Sequence, residues 1–404
     1  MENENRKIAF ALGGLAGNNA HGAGFLHTAL NHPPHPLEPI MISCTSGQVY
    51  WVYQYLQART QSDPQRVQRA FMEEIEHLHR FHNINLDYAT VALQGRPGVF
   101  RPAFDIAYPV FNEYTLDLYK NSLRAVTRIL SDPVRTFWAQ EILRTLPARQ
   151  LVPLFPDTFF SDISKAFNNE QQIGIAFNSY CPETGEEYVY LNDVARKQLS
   201  PQGKKYQPGY KSATRSATRS RPAARAGQTI YQAITPEAMR DALWIYEYGF
   251  DKEPNDKAPR KFVDGAYYRQ IMLKELTFAD VIFVARPINQ RWLPTRKESD
   301  SELGAKLPQS YIELQDLKTE INFNGSYVGE RAQIALINRL VDDANNPDLV
   351  RDYHHIDLVE IEIQEQRNYF DYIFESPEVF EEAGKELEQQ LATEQVATLL
   401  PGPG

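Results

Sequence analysis

Cysteine is nearly absent: 404 residues hold only Cys44 and Cys181, which leaves no disulfide framework of the kind that staples small secreted domains. Long apolar runs are missing too. The apolar stretch in the opening segment MENENRKIAFALGG is too short for a signal peptide, and no run reaches the ~20 residues of a membrane-spanning helix. Nor is there a surplus of positive charge; the net charge of −10 argues against nucleic acid as the main partner. Together these absences predict a cytoplasmic protein, with peripheral membrane contact left open. What is present is ordinary globular material. Hydrophobic residues make up 42% of the chain, enough for a sizeable core, and the length suits one large α/β domain or two domains.

Two familiar signatures are also missing. No Gly-x-Ser-x-Gly elbow occurs around Ser46, and the glycines at 13, 14 and 17 do not fit Gly-x-Gly-x-x-Gly. No acidic residue ends the next strand, where a ribose would need one, so a dinucleotide site is disfavoured. Residues 7–12 (KIAFAL) nevertheless read as a buried strand followed by a glycine-rich turn. A helix is expected over residues 20–30, then a proline- and histidine-rich loop, then a second strand ending at Ser43. That order is a βαβ unit, and it delivers Cys44-Thr45-Ser46-Gly47-Gln48 to the start of another helix. Ser46 there has two readings: a nucleophile on a sharp strand-to-helix turn, or the N-cap of the helix.

Farther along, Asp63-Pro64 opens an expected helix with an apolar face at Val67, Phe71, Ile75 and Leu78. Residues 84–150 read as mostly helical and rich in aromatics. Alternation over residues 172–177 and 187–191 around Pro182-Glu183-Thr184-Gly185 predicts a hairpin. Further strands are expected at residues 280–285 and 356–363, and a closing helix over 376–391. Residues 201–228 carry Lys204, Lys205, Lys211, Arg215, Arg219, Arg221 and Arg225 without one acid and repeat SATR. This segment reads either as a flexible, solvated loop or as a basic strip for an anionic membrane surface.

In a βαβ unit the two strands end on one edge, so the glycine turn and Ser46 are expected side by side. Backbone N–H groups in such a turn can stabilise an oxyanion beside a serine hydroxyl. A base is still required. His21, His27, His32 and His35 fall on the first helix or its following loop, while His77, His79 and His82 cannot share one helical face, which disfavours a metal site. Asp264, in Val263-Asp264-Gly265-Ala266, reads as a base or as the first corner of a turn. The aromatic stretches 99–119 and 244–250 read as core or as an acyl groove.

These residues resemble the patatin-like phospholipases, whose Ser–Asp dyad works without histidine. Asp264-Gly265-Ala266 matches the family's Asp-Gly-Gly/Ala motif, and Cys44-Thr45-Ser46-Gly47-Gln48 aligns with its GTSAG elbow. Glu183-Thr184-Gly185-Glu186-Glu187, Asp241 to Phe250 and Ser376-Pro377-Glu378-Val379 look like further family segments in the right order. Two departures stand out: Gln48 where the elbow has a tiny residue, and Asn18 where the glycine motif has an arginine.

The resemblance implies a single patatin-like domain over residues 1–400. Its expected fold is three-layer α/β/α with a central, mostly parallel sheet and a helical insertion at 84–150. It implies a lipid acyl hydrolase with Ser46 as nucleophile and Asp264 as base. The oxyanion hole would come from Gly13, Gly14, Leu15 and Gly47, with no metal and no cofactor. The implied substrate is a phospholipid or other acyl ester. The alternative is a patatin-fold lipid- or protein-binding module with impaired chemistry.

Overall fold

The structure, a computed structural model, describes residues 6–14, 19–80, 100–102, 151–153, 158–199, 229–245, 248–250, 261–286, 311–343, 353–363, 375–393 and 396. The chain divides into two compact units, Met1–Pro97 with Pro156–Trp244 and Lys261–Gly404, and Gly98–Phe155 with Ile245–Arg260.

The larger unit is built on an eight-stranded sheet. Strand β1 (Ile8–Leu12) leads through helix α1 (Ala20–Asn31) to β2 (Met41–Cys44), and α2 (Gln48–Gln61) and α3 (Arg66–Arg80) follow. In the smaller unit, β3 (Phe100–Pro102) pairs antiparallel with β4 (Leu151–Pro153). Of the segment 84–150 expected to be mostly helical, residues 100–102 are described, as a strand, and the rest lies outside the described residues. The main sheet resumes after α4 (Phe159–Asn169) with the hairpin β5 (Gly174–Cys181) and β6 (Glu186–Leu191). Helix α5 (Asp193–Leu199), β7 (Thr229–Ala233), α6 (Pro236–Ala242), β8 (Val263–Asp264) and β9 (Val281–Arg286) come next. The last elements are the 32-residue helix α7 (Tyr311–Asp342), β10 (Asp357–Glu362) and α8 (Ser376–Leu391). Residues 201–228, the basic segment, lie outside the described residues.

The strand order is β10-β9-β1-β2-β5-β6-β7, with β8 paired to β5. The five strands from β10 to β5 are mutually parallel, and β6 turns back antiparallel to β5. Alternation along the strands sends side chains to two separate cores, as a sheet covered on both faces requires. Ile8, Phe10 and Leu12 join Phe25, Trp51, Phe71 and Leu387 beneath α1, α2, α3 and α8. Ala9, Ala11, Ile282 and Val284 face Leu273, Leu276, Tyr327 and Ile334, where α7 covers the opposite side. This is the three-layer α/β/α arrangement with a mostly parallel central sheet expected from the sequence. Among the described residues, no helix is long and apolar enough to cross a membrane.

Candidate functional site

Strand β2 runs out at Cys44, and Thr45, Ser46 and Gly47 make the turn into α2. Backbone bonds continue the sheet to the last position: Thr45 N–H donates to the Leu12 carbonyl, and Gly13 N–H donates to Ala285. The chain then turns sharply, with Gln48 N–H donating to the Thr45 carbonyl at 3.2 Å. To make that turn Ser46 adopts a left-handed backbone with φ 57°. For a residue with a Cβ this conformation costs on the order of 1–2 kcal/mol. Ser46 does not cap α2: the N-cap position belongs to Gly47, and no side chain accepts a hydrogen bond there. The hydroxyl-bearing residue is thus held in strained backbone at a strand-to-helix turn, at 9% exposure.

The glycine turn lies directly against it. A Cβ on Gly14 would stand 2.5 Å from Ser46 Cβ and 2.7 Å from the Thr45 carbonyl, so only glycine lets the two turns approach this closely. The N–H groups of Gly13 and Gly14 are engaged within the protein. Gly13 N–H is spent on Ala285, and Gly14 N–H donates to Thr45 Oγ1 at 2.6 Å. At this edge the turn thus closes the sheet and clasps the elbow. Leu15 lies outside the described residues. Gly47 N–H, directly after Ser46, has no acceptor among the described residues.

Asp264 reaches the same edge by strand pairing. β2 pairs with β5 up to Cys44↔Phe177, and β8 pairs antiparallel with β5 at Ser179↔Asp264. The other side of β5 is occupied by β6, so β8 lies in line with β2, beyond its C-terminal end. The chain carrying Asp264 therefore meets the Thr45-Ser46 turn head-on. Asp264 is 2% exposed; its N–H donates to the Trp244 carbonyl at 2.8 Å, and its Oδ1 accepts from Ala266 N–H at 2.8 Å. No hydrogen bond joins Ser46 to Asp264 among the described residues. Gly265 is needed beside it, because a Cβ there would sit 2.1 Å from Asn178 Oδ1. Trp244, one end of an aromatic stretch read as core or groove, is fully buried core.

Gln48, too large for a standard elbow, is accommodated by an absence elsewhere. A Cβ on Gly22 of α1 would fall 2.0 Å from Gln48 Oε1, so the missing side chain at 22 leaves the slot that Gln48 fills. There Gln48 Nε2 lies 2.9 Å from His21 Nε2 and 3.3 Å from the Gly13 carbonyl, while Gln48 Oε1 is buried without a hydrogen-bond partner. His21 Nε2 sits 2.8 Å from the same carbonyl. Burial lowers the His21 pKa to about 4, against the opposing pull of the Gly13 carbonyl, so the ring is neutral at physiological pH and donates Nε2–H to Gly13.

Sequence reasoning placed His21 on α1 and went no further; nothing local shows that it braces the glycine turn. It also missed Gln270, whose Nε2 donates to the Gly14 carbonyl at 2.7 Å, and Arg269, buried among Glu187, Glu275 and Glu330. The closeness of Ser46 to the glycine turn, in contrast, was readable from the βαβ topology of β1, α1 and β2. Among the described residues no group of His, Cys, Asp or Glu could hold a metal ion. No family model matches the chain, and no curated protein matches it.

Proposed function

We propose that the chain is a carboxylic ester hydrolase acting on lipid acyl esters, of the phospholipase A type that its motifs resemble. The observation that carries this reading is the strained Ser46 backbone, φ 57° at a strand-to-helix turn, directly beyond which β8 delivers Asp264. Strain of this kind is retained where a serine hydroxyl must stand clear of the sheet. In the reaction, Asp264 accepts the hydroxyl proton as Ser46 Oγ bonds to the ester carbonyl carbon. The carbonyl oxygen becomes an oxyanion, stabilised by Gly47 N–H and the positive end of α2. The C–O bond to the alcohol then breaks, and the alcohol leaves with the proton from Asp264. Water, deprotonated by Asp264, attacks the acyl-Ser46 ester, and the fatty acid departs as Ser46 recovers its proton. Substrate binding must bring Ser46 and Asp264 into hydrogen-bond reach, since such contacts tighten on complex formation.

A second reading is a binding module on the same fold without turnover, favoured by the engagement of Gly13 and Gly14 N–H in the protein's own structure. Hydrolysis of p-nitrophenyl butyrate separates the two. Ser46→Ala is expected to abolish turnover while the protein stays folded. Asp264→Asn is expected to be equally damaging, with the double variant no worse than either because the pair acts as one unit. Undiminished hydrolysis by Ser46→Ala would sink the assignment to this residue. A wild-type protein that turns over no ester but binds lipid vesicles would favour the module.

A further inference from the structure

Three hydrogen bonds form a closed circuit behind Ser46. Gly14 N–H donates to Thr45 Oγ1 at 2.6 Å, the Thr45 hydroxyl donates to the Gln270 carbonyl, and Gln270 Nε2 donates back to the Gly14 carbonyl at 2.7 Å. Each member comes from a different segment: the glycine turn, the elbow, and the stretch that follows Asp264. Thr45 is fully buried and Gln270 is 2% exposed, so water does not compete for these groups. The Thr45 hydroxyl uses its only proton and accepts a bond as well, which leaves it one orientation.

We infer that Thr45 and Gln270 are positioning residues, whose circuit with Gly14 holds Ser46 in register with the segment that carries Asp264. This rests on the hydrolase reading above. Ser46 follows Thr45 directly, and Gly14 backs onto Ser46 at a separation that admits no Cβ. Movement of either therefore moves the nucleophile. From Gln270 the chain runs back five residues to Gly265, and that run is itself pinned. Arg269 N–H donates to the Gly265 carbonyl at 2.8 Å, and Asn178 Nδ2 lies 3.1 Å from the Arg269 carbonyl. Arg269 also grips Glu187 at 2.7 Å and Glu275 at 2.9 Å. A displacement at Gln270 is thus transmitted to the Asp264 turn instead of being absorbed by slack chain. Ser43, one residue before Cys44, adds a parallel tie by donating to the Met272 carbonyl at 2.7 Å, yet it leaves Gly14 unconstrained. Among the described residues, the Thr45–Gln270 circuit is the one that includes all three segments.

The nearly isosteric Thr45→Val removes the hydroxyl and leaves Gly14 N–H and the Gln270 carbonyl without partners, whereas Thr45→Ser keeps both bonds. Gln270→Leu breaks the third bond without touching the elbow. In p-nitrophenyl butyrate kinetics, with the melting temperature recorded for each variant, Thr45→Val and Gln270→Leu are expected to lower kcat by about 10- to 100-fold. KM should shift little, because misplacement of a reacting group acts on the chemical step. Thr45→Ser should stay within about threefold of wild type, and the Val/Leu double variant should fall well short of the product of the single losses. The rate at which a fluorophosphonate probe labels Ser46 should fall in parallel. Folded Thr45→Val and Gln270→Leu proteins with wild-type kcat and labelling rate would overturn the inference. So would a lowered melting temperature with unchanged kcat, since the circuit would then be scaffold alone. Should either variant fail to fold, the other decides by the same criteria. A wild-type protein that neither turns over ester nor labels at Ser46 would instead remove the hydrolase reading itself, a distinct result.

Discussion

At the scale of single residues, His21 is a buried titratable group held against the glycine turn. Its pKa is lowered by burial to about 4 from an ordinary 6.5. The folded value lies below the unfolded one, so the neutral ring's contribution is fully present above pH 6.5 and is lost as pH falls toward 4, because the unfolded chain takes up the proton first. The shift corresponds to about 3 kcal/mol over that window. His21→Gln retains a donor for the Gly13 carbonyl but does not titrate. Urea unfolding at several pH values between 7 and 4.5 should therefore show a shallower acid loss in the variant than in wild type. Identical slopes would mean that His21 is not what makes the fold acid-sensitive in this range. The residue scale is also where sequence reading was weakest. The resemblance led to Ser46 and Asp264, but His21, Thr45 and Gln270 carry no local signature. Their roles depend on which carbonyl or hydroxyl the fold sets beside them.

At the scale of elements, α1 and α2 pack through an exchange of volume. Gly22 has no side chain and Gln48 has an oversized one, and the two occupy one space. Gly22→Ala should therefore cost about 1–3 kcal/mol through overpacking, beyond any helix-propensity gain from alanine. Gln48→Ala in the same chain should recover much of it, since it vacates the slot and removes the unpartnered Oε1. A denaturant double-mutant cycle is expected to yield a favourable coupling of about 1 kcal/mol or more. Additive effects would show that the two side chains do not share the slot. Seen from the sequence, Gln48 was only a departure from a motif. Its explanation lies 26 residues upstream in another helix, and pattern matching within the elbow could not reach it.

At the scale of the molecule, the antiparallel end of the sheet is joined to α7 through one buried cation. Arg269 contacts Glu187 on β6, Glu275, and Glu330 on α7, while Tyr231 and Thr229 on β7 donate to the same carboxylates. Burial alone would raise the Glu275 carboxyl, but the Arg269 guanidinium outweighs it and holds the group below its ordinary range. The stabilisation this supplies is present above the unfolded carboxylate pKa and disappears on acidification through the folded one. Arg269→Met leaves buried carboxylates unpaired and is expected to cost about 3–5 kcal/mol. Arg69→Met, which breaks only the exposed pair with Asp63, should barely move the unfolding midpoint. If both substitutions proved equally mild in urea, the buried cluster would not be holding these layers together.

Local pattern was enough for elements whose periodicity and boundaries agree: the buried strand at β1, the β5–β6 hairpin, the edge-like alternation of β10 and the closing helix α8 all follow from side-chain period and turn chemistry. From these the α/β class follows, because a strand–helix–strand order favours a parallel crossover; the antiparallel pairing of β8 with β5, separated by two helices, does not follow from that order. The sequence did not reveal α7. Gly325 and Gly329 each cost a helix about 1 kcal/mol relative to alanine, yet one face of α7 buries Tyr327 and Ile334 against the sheet, and Glu330 accepts from Leu273 N–H and Lys274 N–H at 2.8 and 3.0 Å. Tertiary contacts thus overrode local propensity. The tertiary structure alone also decided which groups stand around Ser46. Asp264 arrives there because β8 pairs with β5 between residues 85 positions apart, Ser179 and Asp264, and Gly14 N–H is taken by Thr45 because two turns close to contact. Such pairings depend on distances between segments remote in the chain, and a linear pattern does not encode distance.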